Sequence, residues 1–258
     1  MYAGMYVSAG AMLTGMYRMD VHSNNMANLE TIGFKSDLPI VRQRQAPRVE
    51  QGSPFIAGDK LMDALGGGVL MSANRVSTRQ GTMSMTKNPL DVAVQGEGYF
   101  VVNDRADPAS PIKFSRDGRL AINRTGQLVQ AASGRTILDT SNRPITLNPD
   151  GAVTIDSKGT IRQDGDLVAT LQLATISDQS QMRKAGNGML TAPETMIKTR
   201  TAASGSILSG ALERSTVDPV RAMMDFGSSE RAAGSGVKMV QMYDELMNKA
   251  INSFGKLA

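Results

Sequence analysis

The chain has 258 residues, of which 41% are hydrophobic and 20% charged, a composition typical of a globular or assembling protein and not of a disordered one. It contains no cysteine, which excludes a disulfide framework, a thiol nucleophile and a zinc–thiolate site, and which permits export without requiring it. The net charge of +4 is spread along the chain, and the basic cluster at Arg42, Arg44 and Arg48 has no interleaved aromatic residues, so we expect no nucleic-acid partner.

The first predicted element is an N-terminal helix over residues 2–28. Residues spaced four and three apart place one apolar stripe on this helix: Met5, Ala9, Met12, Met16 and Met19. A second stripe lies beside it: Tyr2, Tyr6, Leu13 and Tyr17. The helix has no basic flank before its apolar residues, and Arg18 and Asp20 interrupt it, so we expect neither a cleaved signal peptide nor insertion into a membrane.

The helix runs into SNNMANLETIGFK at residues 23–35, where three asparagines fall within six positions: Asn24, Asn25 and Asn28. Asparagine weakens helices because its amide competes for backbone hydrogen bonds. Residues 36–74 are richer in proline, glycine and glutamine and are predicted to form an extended connector, loosest at the three glycines of residues 66–68.

Residues 75–210 are predicted to form one antiparallel β domain of short strands. NPLDVAVQGEGYFVV (88–102) is a β-branched run broken by a glycine pair, and later segments alternate apolar and polar residues. Turn dipeptides then predict hairpins at five places: Asp117-Gly118, Thr125-Gly126, Asp150-Gly151, Lys158-Gly159 and Asp164-Gly165.

The last element is a second helix, for which Ser215 or Asp218 is a suitable cap and Pro219 a suitable first-turn residue. A heptad seam runs almost to the end of the chain: Val240, Tyr243, Met247, Ala250, Phe254 and Leu257. GSSERAAGSG (227–236) contains three glycines and three serines and predicts a soft or kinked stretch.

These elements predict an α+β chain in which terminal helices form a coiled-coil-like assembly domain around a central antiparallel β domain. The expected divisions are an N-terminal helix and motif at 1–35, the connector at 36–74, the β domain at 75–210 and a C-terminal motif and helix at 211–258. One partner helix covers only one stripe of the first helix. The two helices therefore either close on each other as an intramolecular hairpin or dimerisation arm, or pack among copies from neighbouring subunits.

No catalytic constellation is evident. The single histidine, His22, has no metal-ligand set around it, and neither G-x-S-x-G nor a phosphate-binding glycine loop occurs. We therefore expect no enzyme activity, no cofactor and no metal.

Four motifs together resemble one family. SNNMANLETIGFKSD (23–37) resembles the N-terminal signature of bacterial flagellar rod and hook proteins, SNN-[LM]-A-N followed by T-x-G-F-[KR]. Residues 88–102 resemble the family's second signature, and FSRDGRLAINRTGQLV (114–129) resembles its third. ALERSTVDPVRAMMDFGSSERA (211–232) resembles the family's C-terminal motif. The motifs follow the family's order, although Met26 replaces a commoner leucine and Gly227, Gly234 and Gly236 lie in a region that is usually more helical.

The resemblance implies an axial protein of the flagellar basal body, exported unprocessed by the flagellar export apparatus and polymerised into a tube across the periplasm. Its partners would be copies of itself and paralogous rod and hook subunits. The start MYAGMYVSAGAML favours a proximal over a distal rod protein, and the small β region argues against a hook protein. The alternative is an extracytoplasmic β-rich binding module with a helical dimerisation arm.

Under the family interpretation, the expected assembly residues are the methionine stripe, the heptad seam, the three asparagines, Gly33 and Phe34. Asparagine amides would bond between crowded subunits, Gly33 would bend the backbone and Phe34 would be an apolar anchor. Asn28 has a second interpretation, which is that it merely ends the helix.

Overall fold

The computed structural model describes residues 2–44, 68–104, 106–108 and 110–254. It has an N-terminal helix, a C-terminal helix and antiparallel strands between them, which confirms the predicted α+β class. The helices are α1 (Tyr2–Ala27), α2 (Glu194–Lys198) and α3 (Pro219–Phe254). The strands are β1 (Asp37–Gln43), β2 (Val69–Val76), β3 (Met83–Met85), β4 (Val92–Gln95), β5 (Tyr99–Asn103), β6 (Ile112–Ser115), β7 (Leu120–Ile122), β8 (Leu128–Gln130), β9 (Thr136–Ile137), β10 (Val153–Ile155), β11 (Thr160–Gln163), β12 (Asp166–Thr170), β13 (Leu173–Thr175), β14 (Arg183–Gly186), β15 (Met189–Thr191), β16 (Thr201–Ala202), β17 (Ser206–Ser209) and β18 (Ala211–Glu213).

The chain divides into two compact units. Unit 1 comprises residues 1–26, 38–74 and 219–258, and unit 2 comprises residues 27–37 and 75–218. Within unit 1, α1 and α3 pack together beside the β1–β2 ribbon, where the Tyr17 hydroxyl donates to Asn74 Oδ1 at 2.6 Å. The predicted connector thus contributes two strands at its ends, while its residues 45–67 lie outside the described part of the chain.

Unit 2 is built on a sheet with strand order β14-β15-β6-β5-β9-β8-β7, and β13 pairs with both β5 and β16. Successive side chains of β5 point to opposite faces of the sheet. Phe100 and Val102 pack into one core cluster, and Tyr99 and Val101 pack into another. A strand that is buried on both faces explains why residues 99–102 are continuously apolar instead of alternating.

Three of the five predicted hairpins are confirmed. Thr125-Gly126, Lys158-Gly159 and Asp164-Gly165 join the antiparallel pairs β7–β8, β10–β11 and β11–β12. The other two predictions are wrong. Gly118 accepts a hydrogen bond from the Val92 N–H at 3.0 Å, in a pairing distant in sequence, and Asp150-Gly151 forms a turn that leads into β10.

The helix boundaries agree with the sequence to within one residue. α1 ends at Ala27, and the carbonyl of Asn28 accepts a hydrogen bond from the Thr31 N–H at 3.3 Å, so the structure matches the interpretation in which Asn28 ends the helix. α3 begins at Pro219, directly after Asp218.

The expected soft stretch at 227–236 is helical throughout. Serine hydroxyls there bond to helix carbonyls four residues earlier, Ser229 to Asp225 at 2.8 Å and Ser235 to Arg231 at 2.8 Å, so neither needs a non-helical partner.

Candidate assembly site

The two long helices approach each other closely at glycines. A Cβ built on Gly15 would lie 2.7 Å from the Ala233 nitrogen, and one built on Gly236 would lie 2.8 Å from the Met12 Cα. Near the other end of the pair, Gly4 faces the ring of Tyr243. From one contact to the next, residue numbers increase along α1 and decrease along α3. The two helices therefore run antiparallel, with their backbones almost in contact.

The heptad seam of α3 lies on the side of this helix that is least exposed. Val240, Tyr243, Met247 and Ala250 are half-buried, and the same face continues toward the start of the helix through Gly236, Ala233, Ser229 and Ala222, which are buried. Of the remaining predicted seam residues, Leu257 and the side chain of Phe254 lie outside the described part of the chain. Of the predicted seam residues, Tyr243 lies against α1, where its ring faces Gly4.

The predicted methionine stripe of α1 divides between two environments. Met12 and Met19 are half-buried, whereas Met5 and Met16 are 37% and 44% exposed. The buried side chains of α1 are mostly small or polar: Ser8, Thr14, Val21 and Asn25. Of the other asparagines, Asn24 is exposed and Asn28 is half-buried. Part of the predicted methionine stripe is thus exposed in the single chain.

Large apolar side chains remain exposed on both helices, and we call them the outer apolar surface. On α1 they include Tyr6 and Leu13, which are 73% and 53% exposed. On α3 they are Val220, Met223, Met224, Val237, Met239, Met242, Leu246 and Ile251, between 39% and 66% exposed. Exposed apolar side chains mark an interaction site where they lie together in a patch, whereas single scattered ones are ordinary.

Gly33 and Phe34 lie in unit 2, in residues 28–37. This segment pairs with residues 213–218, and we call the two segments together the junction. The Gly33 N–H donates to the Glu213 carbonyl at 2.7 Å, and the Thr216 N–H donates to the Phe34 carbonyl at 3.0 Å. Gly33 has a φ of +67°, and a Cβ there would overlap the Arg116–Asp117 peptide. Phe34 is buried, with the Lys184 ammonium 3.7 Å from its ring centroid. The contacts of Gly33 and Phe34 described here are thus made by residues of the same chain.

A buried ionic network closes the junction. Lys35 Nζ lies 2.7 Å from Glu213 Oε1, Arg116 Nη1 lies 2.9 Å from Glu213 Oε2, and the three side chains are at most 4% exposed. The Gly81 N–H also donates to Glu213 Oε1, at 2.8 Å, and the Arg116 guanidinium stacks 5.0 Å from the centroid of Tyr99. Burial lowers the pKa of Lys35, and the Glu213 carboxylate opposes that change.

Sequence reasoning did not single out Lys35, Arg116 or Glu213. Each of them lies within one of the quoted motifs, so the motifs were the sequence signal that could have identified these residues. Their charge alone does not show that they are buried. Charged side chains are almost never fully buried unless they are paired, and the pairing here joins residues that are 97 and 178 positions apart.

Among the described residues, no three acidic or histidine side chains are grouped as metal ligands, and neither long helix is apolar enough over a sufficient length to span a membrane. His22 is partly buried in unit 1, and this burial is the main reason why its pKa lies below the usual value.

Comparison with known proteins gives two family matches. Residues 93–168 match the D1 domain of the flagellar hook proteins FlgE, FlgF and FlgG, and residues 208–253 match the C-terminal region of the basal-body rod proteins of the same group. The first match covers β5 and much of unit 2, and the second covers β18 and α3.

Full-length relatives carry the comparison further. The chain is 30% identical over 258 residues to the flagellar basal-body rod protein FlgF of Caulobacter vibrioides, with 98% of each chain covered. It is 26% identical to FlgF of Mesorhizobium japonicum, with 99% of each covered, and 26% identical to the flagellar hook-basal body complex protein FlhO of Bacillus subtilis, with 100% of each covered. The chain therefore belongs to the flagellar basal-body rod proteins and is FlgF-like.

Proposed function

We propose that this structural rod subunit polymerises through α1 and α3 into the axial drive shaft that crosses the periplasm. Its neighbours are further copies of itself and paralogous rod or hook subunits. It reaches the flagellar basal body through the flagellar export apparatus without cleavage of a signal peptide, occupies the proximal part of the rod, and performs no catalysis there.

The outer apolar surface carries this proposal. The α1–α3 contact buries the glycine-rich faces of the helices but leaves Tyr6, Met223, Met224 and Ile251 at least 60% exposed in a single chain. Burying a large apolar side chain contributes about 1.5–3 kcal/mol, so packing several of them against neighbouring subunits supplies a substantial driving force for assembly. Methionine suits such a surface because its flexible thioether adapts to irregular partners.

The two interpretations of the terminal helices are then compatible. The helices pack on each other within one chain, as the hairpin interpretation expects, and they still present apolar side chains on other faces. Neighbouring subunits can therefore add to this pair without first separating it.

Substitution on the outer apolar surface tests the proposal. Met239→Glu, Met242→Glu and Leu246→Glu together place three charges on α3 away from its contact with α1, so we expect a folded, exported chain that forms no rods and does not restore motility to a deletion strain. The matched control is Leu167→Glu on unit 2, where Leu167 is 63% exposed. Normal rods from the triple variant would contradict the proposal, and a discrete dimer of the unmodified chain in place of rods would favour a binding module.

A further inference from the structure

One carboxylate serves two cations from distant parts of the chain. Glu213 immediately precedes the segment that leads to α3, Lys35 belongs to the segment that follows α1, and Arg116 follows β6. The two oxygens of Glu213 are divided between these cations, at 2.7 Å and 2.9 Å. The Glu213 side chain is 0% exposed, so water cannot replace either contact.

We propose that Glu213 is the positioning residue that couples the two junction segments, so that residues 28–37 and 213–218 dock on the rest of unit 2 together or not at all. The inference concerns the single chain and stands independently of polymerisation. It adds to the proposed function a residue that holds together the segment that follows α1 and the segment that precedes α3.

The backbone contacts make the docking mutual. Gly33 donates to the carbonyl of Glu213, Thr216 donates to the carbonyl of Phe34, and the Ser36 N–H donates to the Thr216 hydroxyl at 2.9 Å. The two segments therefore hold each other, and Ser36 in turn accepts from the Ser77 N–H at 2.8 Å. Displacing either segment leaves backbone groups of the other without their partners.

Charge balance makes Glu213 the critical member. If Glu213 becomes neutral, Lys35 and Arg116 lose their shared carboxylate and remain as two buried cations beside the neutral carbonyls of Arg79, Val94 and Gly96, with Arg116 also over the Tyr99 ring. If Lys35 becomes neutral, Arg116 and Glu213 remain as a one-to-one pair. Because an uncompensated buried charge is far more costly than a balanced pair, the two changes should differ sharply although both nearly preserve side-chain volume.

Hydrogen–deuterium exchange on the full-length monomer tests the coupling. The variants are Glu213→Gln, Lys35→Met and the double variant, with Lys113→Met as control, since Lys113 is a buried lysine paired at 2.8 Å with Asp107 outside the junction. Glu213→Gln should raise exchange about a hundredfold in both 28–37 and 213–218. Lys35→Met alone should raise it by less than Glu213→Gln does, again in both segments, and Lys113→Met in neither.

The direction of the change in exchange in the double variant distinguishes charge balance from packing. Lys35→Met raises exchange in the wild-type chain, but in the Glu213→Gln chain it should lower exchange because it removes one of two uncompensated cations. A role in packing alone predicts a further increase there and would overturn the inference, as would a rise confined to one segment in any variant. If Glu213→Gln does not fold, the joint response of both segments to Lys35→Met still decides the question.

Discussion

Two glycines of α3 that lie two positions apart should respond to alanine in opposite ways. In a helix interior, alanine is favoured over glycine by about 1 kcal/mol, and this gain applies equally to Gly234 and Gly236. A Cβ at position 234 would meet nothing within 4 Å, whereas one at position 236 would lie 2.8 Å from the Met12 Cα and 2.9 Å from its nitrogen. The contact at 236 is with backbone, so a side-chain rotation cannot relieve it.

These distances set the expected magnitudes. Gly234→Ala should stabilise the helix pair by about 0.5–1 kcal/mol. Overpacking at Gly236 costs about 1–3 kcal/mol, and after the gain in helix propensity the net destabilisation is about 0–2 kcal/mol. The two variants should therefore differ by about 1–3 kcal/mol in the free energy of unfolding.

Far-UV circular dichroism during urea unfolding measures this difference, because α1 and α3 supply most of the helical signal. Gly227→Ala is a second control, since a Cβ there would lie an ordinary 3.6 Å from the Arg231 guanidinium. Gly15→Ala should behave like Gly236→Ala because it meets the Ala233 nitrogen at 2.7 Å. Equal stabilisation by alanine at 234 and 236 would refute the close backbone approach of the helices.

Three further predictions concern other parts of the chain. Gly33→Val should destabilise unit 2 by about 3 kcal/mol or more, because valine is strained at positive φ and would overlap the Arg116–Asp117 peptide. Thermal unfolding measures this loss of stability, and an unchanged midpoint temperature would contradict the prediction. Phe100→Ala should cost about 3–5 kcal/mol in urea unfolding, because Phe100 is 0% exposed in its core cluster, whereas a loss below about 1 kcal/mol would show that the site is not tightly packed. In the folded chain the pKa of His22 lies below 6.5, so between that folded pKa and pH 6.5 the folded chain binds fewer protons than the unfolded chain. The free energy of unfolding should therefore fall as the pH drops from 6.5 toward the folded pKa, and His22 should have no effect on it above pH 6.5. This pH dependence should be absent in His22→Gln.

The helices and several hairpins could be predicted because their signals are local. The spacing of apolar residues identified α1 and α3, and Asp164-Gly165 joins two strands across a two-residue turn in which both residues have positive φ. Asp117-Gly118 carries the same kind of signal, yet Gly118 instead pairs with Val92, twenty-six positions earlier, and such a choice is made by tertiary packing.

The same limit applies to the roles of the glycines and of the junction residues. Gly236 reads locally as a weak point in a helix, but it permits the approach of Met12 from the other end of the chain. Gly33 was expected to bend the backbone and to act in assembly, and the structure adds a local role, since its φ is +67° and a Cβ there would overlap the Arg116–Asp117 peptide. Its role in assembly, like those of Phe34 and the asparagines, stays a prediction.

The absence of cysteine allows the proposed packing in the rod to be measured directly, since a single engineered cysteine is the only thiol in the chain. Met242→Cys, at a position 56% exposed on α3, should form crosslinks between subunits in isolated basal bodies treated with a short bifunctional thiol reagent, while Leu167→Cys on unit 2 should form few. Such crosslinks would show that neighbouring chains cover the outer apolar surface. Assembled rods in which Met242→Cys stays uncrosslinked and freely labelled by a water-soluble maleimide would contradict it.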